Sequence, residues 1–524
     1  MQNIDVIVVA LFAVATVVAL LVRRLLVPYT VGLVLAGLLL GATHVLNLPH
    51  LTKELLFAVF LPGLLFEAAF HLDFSRFWRS KFTILSLAVP GVIASIAVTA
   101  ALLTPVVGAL HFVQDFKFIH GLVFAALLAA TDPIAVVAVF KTLGVPSRLS
   151  MLIEGESLLN DGTAVVFFGI ILGIASGQGA SVAGATRDFV RVVGGGLLVG
   201  GIVGMGAAQV IRRVDESMIE ITLTTLAAYG SFVAAEHLHV SGVIATVTAG
   251  VLCGSYAAKS GMSPSTRMAV ESFWEYLAFA LNSLVFLLIG FEIDLGAVIA
   301  VWKPILVAFV AVTLGRAVVI ACVSAVLGRS RERVPWSWAA VLTWGGLRGA
   351  LSMVLALSLA KDFPHRDVLV NLTFGVVILS IFAQGLSMAP LLRWLGVVRK
   401  LGDRRAYDLR RGQMVAVQAA LDSLDEAART HAVAPATVAV VRQEYQDLLH
   451  SAESEMGRIY QDQAGLRDEV LAGFRRYLAA VERNAIGQAA RRGLIANEAA
   501  RELTAAVDVR LASLGEPALD EDDP

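Results

Sequence analysis

Apolar residues fill the first three quarters of the chain in runs long enough to cross a hydrocarbon core as helices, about 17–25 residues each. Thirteen such runs lie near residues 4–22, 28–46, 54–71, 83–108, 117–140, 149–174, 189–211, 219–235, 240–256, 271–292, 298–327, 337–360 and 367–396. Lipid offers no partner for backbone N–H and C=O groups, and the intervening loops are too short for a large barrel, so every run is expected to be helical. The predicted fold class is an all-α polytopic membrane protein. Beyond residue 398 the pattern changes. Val417, Leu421 and Leu424 recur at helical spacing among Ala, Arg, Glu and Gln, which predicts amphipathic helices in water, interrupted at Pro435.

Two runs carry helix-breaking sequence at membrane depth: Thr131-Asp132-Pro133 in the fifth and Gly345-Gly346-Leu347-Arg348-Gly349 in the twelfth. They fall seven spans apart. An odd offset makes spans 1–6 and 8–13 run in opposite directions, so the pattern predicts two inverted six-helix repeats, each with a discontinuous helix at the same place. Ordinary kinks and packing notches are the competing account of the same residues.

Composition agrees with a membrane body. Hydrophobic residues make up 57% of the 524 and charged residues 16%, with a mean hydropathy of +0.77. Soluble domains run near 45–50% apolar and about 25% charged. Residues 1–398 hold 24 Lys+Arg and 21 Asp+Glu, whereas the much shorter 399–524 holds 17 and 21. This divides the chain into a lipid-embedded domain, 1–398, and a water-exposed, mainly helical tail, 399–524. Asp5 precedes the first apolar run and Arg23-Arg24 follow it, opposite to a cleavable signal, so that run is expected to be retained with its N-terminus outside. On this topology the inner side holds 14 Lys+Arg and the outer side 7, counting loops together with the span ends beside them, a bias that places the tail in the cytoplasm and the chain as a multi-pass protein of an inner or plasma membrane. A net charge of −1 argues against nucleic acid as a partner. Cys253 and Cys322 lie far apart in apolar runs without metal-site spacing.

Ionisable groups at membrane depth cost roughly 2.5–3.5 kcal/mol each and so mark function or pairing. Six stand well inside the runs: Glu67, Asp132, Glu156, Asp161, Arg316 and Arg348. If each arginine neutralises one acid, two carboxylates are left for a cation or a proton. In EGESLLND, Ser157 and Asp161 are four apart on one helix face, and Glu156 and Asn160 are four apart on the next. Ser157 can therefore join Asp161 around one ion while Glu156 points elsewhere. Pro133 lacks an N–H and frees carbonyls near Thr131 as further ligands. Oxygen-only ligands suit a hard cation. Back-bonding of Ser157 and Thr131 to their own helices is the structural alternative.

The stretch TDPIAVVAVFKTLGVPSRLSMLIEGESLLNDGTAVVFF, with FLPGLLFEAAF upstream and GGLRGALSMVLALSL downstream, resembles the monovalent cation:proton antiporters of the NhaP and NHE type. The resemblance covers about 390 residues and not the tail. It implies the NhaA/NHE-like fold with two crossed, broken helices. It implies that Asp161 binds cation and proton by turns, that Asn160 orients the site, and that Ser157, Thr131 and Glu67 complete or border it. Sodium is then held at Asp161, Ser157 and Thr131. It further implies that Asp132 and Arg348 steady the crossed helices, and that Glu156 with Arg316 forms a structural ion pair. Glu67 is the weakest of these assignments, because some relatives carry Asp there. A homodimer in membrane lipid is implied as well.

The activity expected from this is exchange of a monovalent cation, Na⁺ first, for H⁺ by alternating access, with both competing for Asp161. No cofactor is expected beyond the transported ions. Asn at position 160, where an electrogenic branch has a second Asp, implies one cation per proton and no net charge movement. Potassium exchange at the same site is the alternative, since the ligand types do not separate ions of equal charge, and lithium is a further candidate. A cation channel is the rival of a different class. An intramembrane hydrolase built on Ser157 is disfavoured, because the sequence has no HExxH and places no histidine deep in a span. Gly196, Gly200 and Gly204 form a small-xxx-small row that serves packing inside the protomer or dimerisation. Asn282 is expected to bond between helices. A cytosolic regulator of the tail is a hypothesis from its size and position.

Overall fold

The computed structural model describes residues 4–25, 28–43, 56–110, 113–177, 182–258, 262–293, 295–330, 332–398, 401–430, 433–462, 464–491 and 494–513. The chain divides into two compact units, Met1–Arg399 and Lys400–Pro524. Every regular element among the described residues is helical. The acidic end at Asp520–Asp523 and the loop charges Lys259 and Arg331 lie outside the described residues.

Among the described residues of the first unit, seven helices are long and apolar enough to cross a membrane: Lys81–Ala109, Ser147–Ala175, Ala183–Ile211, Ser217–His237, Ser265–Glu292, Trp302–Arg329 and Arg366–Trp394. Shorter apolar helices stand beside them at Val9–Val22, Tyr29–Ala42, Phe57–His71, Phe118–Leu127, Ile134–Leu143 and Gly242–Ala257. The fifth apolar run is two helices, Phe118–Leu127 and Ile134–Leu143, separated at Leu128–Pro133. Pro133 sits at the N-cap of the second half, where its missing N–H costs nothing. The twelfth run is likewise Trp336–Trp344 and Ala350–Leu357, separated at Gly345–Gly349. Both breaks fall where the proline and the glycines predict them.

The two breaks meet. Asp132 N–H donates to the Leu347 carbonyl at 2.8 Å, joining one interrupted backbone to the other. A Cβ on Gly349 would lie 2.5 Å from Asp132 Cβ, and one on Gly346 would lie 2.4 Å from Arg316 Nε. Only glycine lets the crossing close this tightly. Around it runs an apolar core that includes Phe124, Leu127, Leu128, Met353, Val376 and Val377, all 3% exposed or less. A second core gathers Leu149, Leu152, Val341, Leu342, Met388 and Leu392. The Arg366–Trp394 helix contains a wide π turn at Ser380–Gln384, between the two cores.

The glycine row of the Val182–Ile211 helix is used inside the protomer. Cβ atoms there would lie 2.8 Å from the Ser241 carbonyl oxygen (Gly196), 2.2 Å from that of Ala245 (Gly200) and 2.8 Å from Ala249 Cα (Gly204), so the row is the seat of the Gly242–Leu252 helix. This selects the packing account of that row.

The second unit consists of helices Leu401–Thr430, Pro435–Asp462, Ala464–Arg491 and Asn497–Ser513. Pro435 opens the second of these, a position that suits its fixed φ. Arg410–Glu455 at 2.5 Å and Arg442–Asp425 link the first two helices in antiparallel order, and Arg510–Glu482 at 2.7 Å links the last two. These are exposed pairs, worth about 0–1 kcal/mol each; Tyr407, Val417 and Ala452, all buried, supply apolar contact.

Candidate functional site

The Ser147–Ala175 helix runs past the first break and carries four of the predicted residues on two adjacent faces. Ser157 Oγ donates to the Thr131 carbonyl, a contact shorter than an ordinary hydrogen bond. Asn160 Nδ2 donates to Thr131 Oγ1 at 3.4 Å and to Glu156 Oε1 at 3.1 Å. Thr131, Ser157, Asn160 and Glu156 are 2–5% exposed. Both amide hydrogens of Asn160 are therefore spent, while its Oδ1 is buried with no hydrogen-bond partner. Asp161 follows directly, partly exposed, without a hydrogen bond or ion pair among the described residues; the charge acting on it is the Asp132 carboxylate. A carboxylate, an amide oxygen, a hydroxyl and a freed carbonyl thus stand on or beside one stretch of helix at the break. All are oxygen ligands, the kind a hard cation takes.

Glu156 is compensated. Arg316 Nη1 lies 2.7 Å from Glu156 Oε1 and Nη2 lies 3.0 Å from Oε2, a two-pronged pair, and Arg316 Nε donates to the Leu342 carbonyl at 3.0 Å. The fork fixes the helix bearing Asn160 against the second broken helix.

Arg348 does not pair with Asp132 directly. Its Nη1 donates to the Leu128 carbonyl and, at 3.3 Å, to that of Ala130, and its N–H donates to Ser380 Oγ at 3.1 Å. Asp132 Oδ1 accepts from Ile134 N at 3.0 Å. Each charge thus answers a half-helix end. Arg348 sits at the negative C-terminus of Phe118–Leu127 and Asp132 at the positive N-terminus of Ile134–Leu143. The expectation that each arginine cancels one acid holds for Arg316 and not for Arg348, whose guanidinium is taken by the carbonyls that the break exposes. A cavity of about 10 Å³ lies between Asp132, Arg348, Thr30 and Phe286, room for about one water.

Glu67 is placed elsewhere. It lies on the Leu61–His71 helix, where its Oε1 is 3.3 Å from His71 Nδ1, with Glu275 Oε1 4.0 Å from His71 Nε2. No hydrogen bond joins Glu67 to Thr131, Ser157 or Asn160 among the described residues. The i,i+4 spacing of Glu67 and His71 was the available signal for this pair. Ser380, the acceptor of the Arg348 N–H, gives no sequence signal, because a serine in a helix is usually bonded to its own backbone. The six-residue list of embedded ionisable groups also omits Glu220, which is fully buried. Asn282 shows no side-chain bond among the described residues.

The family model described as "Sodium/hydrogen exchanger, transmembrane" matches residues 9–394. The chain is 37% identical over 398 residues to the Na⁺/H⁺ antiporter ApNhaP of Aphanothece halophytica, covering 76% of this chain and 74% of that protein. It is 31% identical over 491 residues to the Na⁺/H⁺ antiporter NhaG of Bacillus atrophaeus, covering 90% of both. Its fold is similar to that of the sodium proton antiporter MjNhaP1 from Methanocaldococcus jannaschii at pH 8, with a TM-score of 0.63 at 20% identity, over 76% of this chain and all of that one.

Proposed function

The chain belongs to the transmembrane sodium/hydrogen exchanger family, a family of multi-pass membrane transporters, and on that premise we propose that it exchanges Na⁺ for H⁺ at Asp161. The observation that carries the reading is a carboxylate without a counter-charge beside a cradle of oxygen atoms. Asp161 has no basic partner among the described residues, whereas Glu156, one residue earlier in the same helix, has Arg316 at 2.7 Å.

A cation and a proton each neutralise one carboxylate, and neither can do so while the other is bound. Na⁺ at Asp161 takes further oxygen from Ser157 and Thr131, and Asn160 Oδ1, which has no donor to receive, turns its lone pairs to the same place. Asn160 Nδ2, held by Glu156 and Thr131, fixes the orientation of that amide. Asp132, Arg348, Glu156 and Arg316 hold the crossing rigid, so that the group whose charge state changes in the cycle is Asp161. Glu67, held by His71, borders the route and does not ligate the ion. With one exchangeable carboxylate and a neutral Asn160 beside it, the stoichiometry is one cation per proton. The same proposal includes thirteen spans in two inverted repeats, an outside N-terminus, a cytoplasmic tail, a homodimer in lipid and alternation between two openings.

Reconstitution into proteoliposomes tests it. A pH gradient should drive ²²Na⁺ uptake, and Asp161→Asn should abolish uptake while the protein remains folded. Exchange retained in that variant would remove Asp161 from the mechanism. A rate that tracks a clamped membrane potential would refute the one-to-one stoichiometry. The assay in K⁺ or Li⁺ settles ion preference, for which the ligand set is indifferent.

A further inference from the structure

A second group of oxygens lies apart from Asp161, where the Ser217–His237 and Pro264–Glu292 helices begin. At its exposed mouth, Thr266 Oγ1 donates to Asp215 Oδ1 at 3.0 Å, Ser263 Oγ is 3.0 Å from Thr266 Oγ1, and Ser217 Oγ is 3.5 Å from the same atom. The Asp215 carboxyl is held below its ordinary range by hydrogen bonds from Ser263 and then Thr266, so it is anionic at neutral pH.

Below the mouth is Glu220. It is 0% exposed, and both carboxylate oxygens are buried without a hydrogen-bond partner. Its direction follows from its neighbours. Ser217, Glu220 and Thr224 share a helix face at spacings of three and four. Ser217 meets Thr266, and Thr224 Oγ1 accepts from Trp274 Nε1 at 3.1 Å. Glu220 therefore faces the Pro264–Glu292 helix between those contacts, one turn below Asp215, whose charge acts on it. Two of the basic groups nearby are engaged elsewhere: Arg212 donates to Tyr256 Oη at 2.7 Å, and Arg267 Nε pairs with Glu271 at 2.7 Å. The positive end of the helix dipole favours an acid in a first turn. It does not supply a donor to either oxygen. A buried carboxylate without a donor is costly unless an ion or proton accompanies it.

We propose that Glu220, with Asp215, Ser217 and Thr266, forms a second alkali-cation site, distinct from the transport carboxylate Asp161. Its ligands are all oxygen, as a hard cation requires. The polar mouth admits the ion and Glu220 closes the site from below. Occupancy joins the starts of two helices through a shared cation, which makes this a binding site and not a step in exchange.

The test is equilibrium ²²Na⁺ binding to the purified full-length protein at alkaline pH, with choline chloride holding ionic strength constant. The wild type should bind two Na⁺ per chain, Asp161→Asn one, Glu220→Gln one, and the double variant none. Loss of all binding in Asp161→Asn, or unchanged binding on adding Glu220→Gln to that variant, overturns the second site and leaves Glu220 a buried protonated acid. Two retained sites in Asp161→Asn would instead fault the transport-site reading. Should Glu220→Gln fail to fold, Asp215→Asn and Thr266→Val, made in the Asp161→Asn background, alter the mouth without touching the buried acid. Each should weaken the remaining Na⁺ binding about tenfold or more, because charge and ligand count set the affinity of oxygen sites; unchanged affinity overturns the proposal.

Discussion

Replacing Arg316 by Met tests the charge arithmetic at the crossing. Arg316 is 9% exposed and Glu156 3%, and their fork at 2.7 and 3.0 Å is supplemented by Arg316 Nε on the Leu342 carbonyl at 3.0 Å. Two hydrogen bonds to charged groups, at roughly 1.5–3 kcal/mol each, give about 3–6 kcal/mol. Breaking a buried pair by removing one partner costs about 3–5 kcal/mol, so the two routes agree. The cost falls on Glu156, which keeps only Asn160 Nδ2 among its present donors. Removing both charges, as in Glu156→Gln with Arg316→Met, should recover most of it, since an apolar replacement of a buried pair is often near neutral. The assay is the thermal stability of the detergent-solubilised variants, arranged as a double-mutant cycle. Arg316→Met should be strongly destabilised, the double variant close to wild type, and the double variant should still exchange Na⁺ for H⁺. A silent single variant, or a double variant no better than the single, would refute the reasoning.

Three further outcomes follow from the geometry. Gly346→Ala places a Cβ 2.4 Å from Arg316 Nε, an overpacking expected to cost about 1–3 kcal/mol; thermal melts should show the penalty shrinking when Arg316 is already Met. Gly200→Leu drives a side chain into the Ala245 backbone, 2.2 Å from its carbonyl oxygen. It should lower stability of the protomer, and cross-linking at matched expression should show no selective loss of dimer. Asp215 has its carboxyl lowered by Ser263 and Thr266, so its contribution to stability is present above the ordinary carboxylate range and lost as pH falls through the lowered value. The stability difference between wild type and Asp215→Asn should thus stay level from neutral pH down to about pH 5 and fade in stronger acid, as thermal melts across pH will show.

Much of this was legible in the residues, for physical reasons that differ from one position to the next. Pro133 and the glycines from 345 to 349 announce both breaks because no α-helix passes them without losing a hydrogen bond or gaining disorder. Glu156 and Asn160 announce their bond through four-residue spacing. Arg348 was harder. Its partners are the Leu128 and Ala130 carbonyls, and a backbone acceptor leaves no trace in residue type, so counting one acid for each arginine could not find them. Glu67 carries two signals at once: its four-residue spacing to His71, which the structure shows as a contact, and its membership of the embedded acids. Glu220 escaped because it stands near the predicted start of a span, where acids are usually wet; only its full burial in the folded chain shows that this one is not.

The wide turn at Ser380–Gln384 has a consequence for the whole Arg366–Trp394 rod. At about 100° per residue, Val377 and Met388, eleven positions apart, would point nearly the same way in an uninterrupted α-helix. Val377 fills the core around the crossing and Met388, about 16 Å further along the axis, fills the other. The additional residue in the turn resets the phase of the rod midway, allowing one continuous helix to serve two interiors while Ser380 reaches Arg348. Excising a single residue there would bring the two halves back into phase, turning Met388 and Leu392 away from their interior, so chain length at this point is as strictly constrained as any side chain.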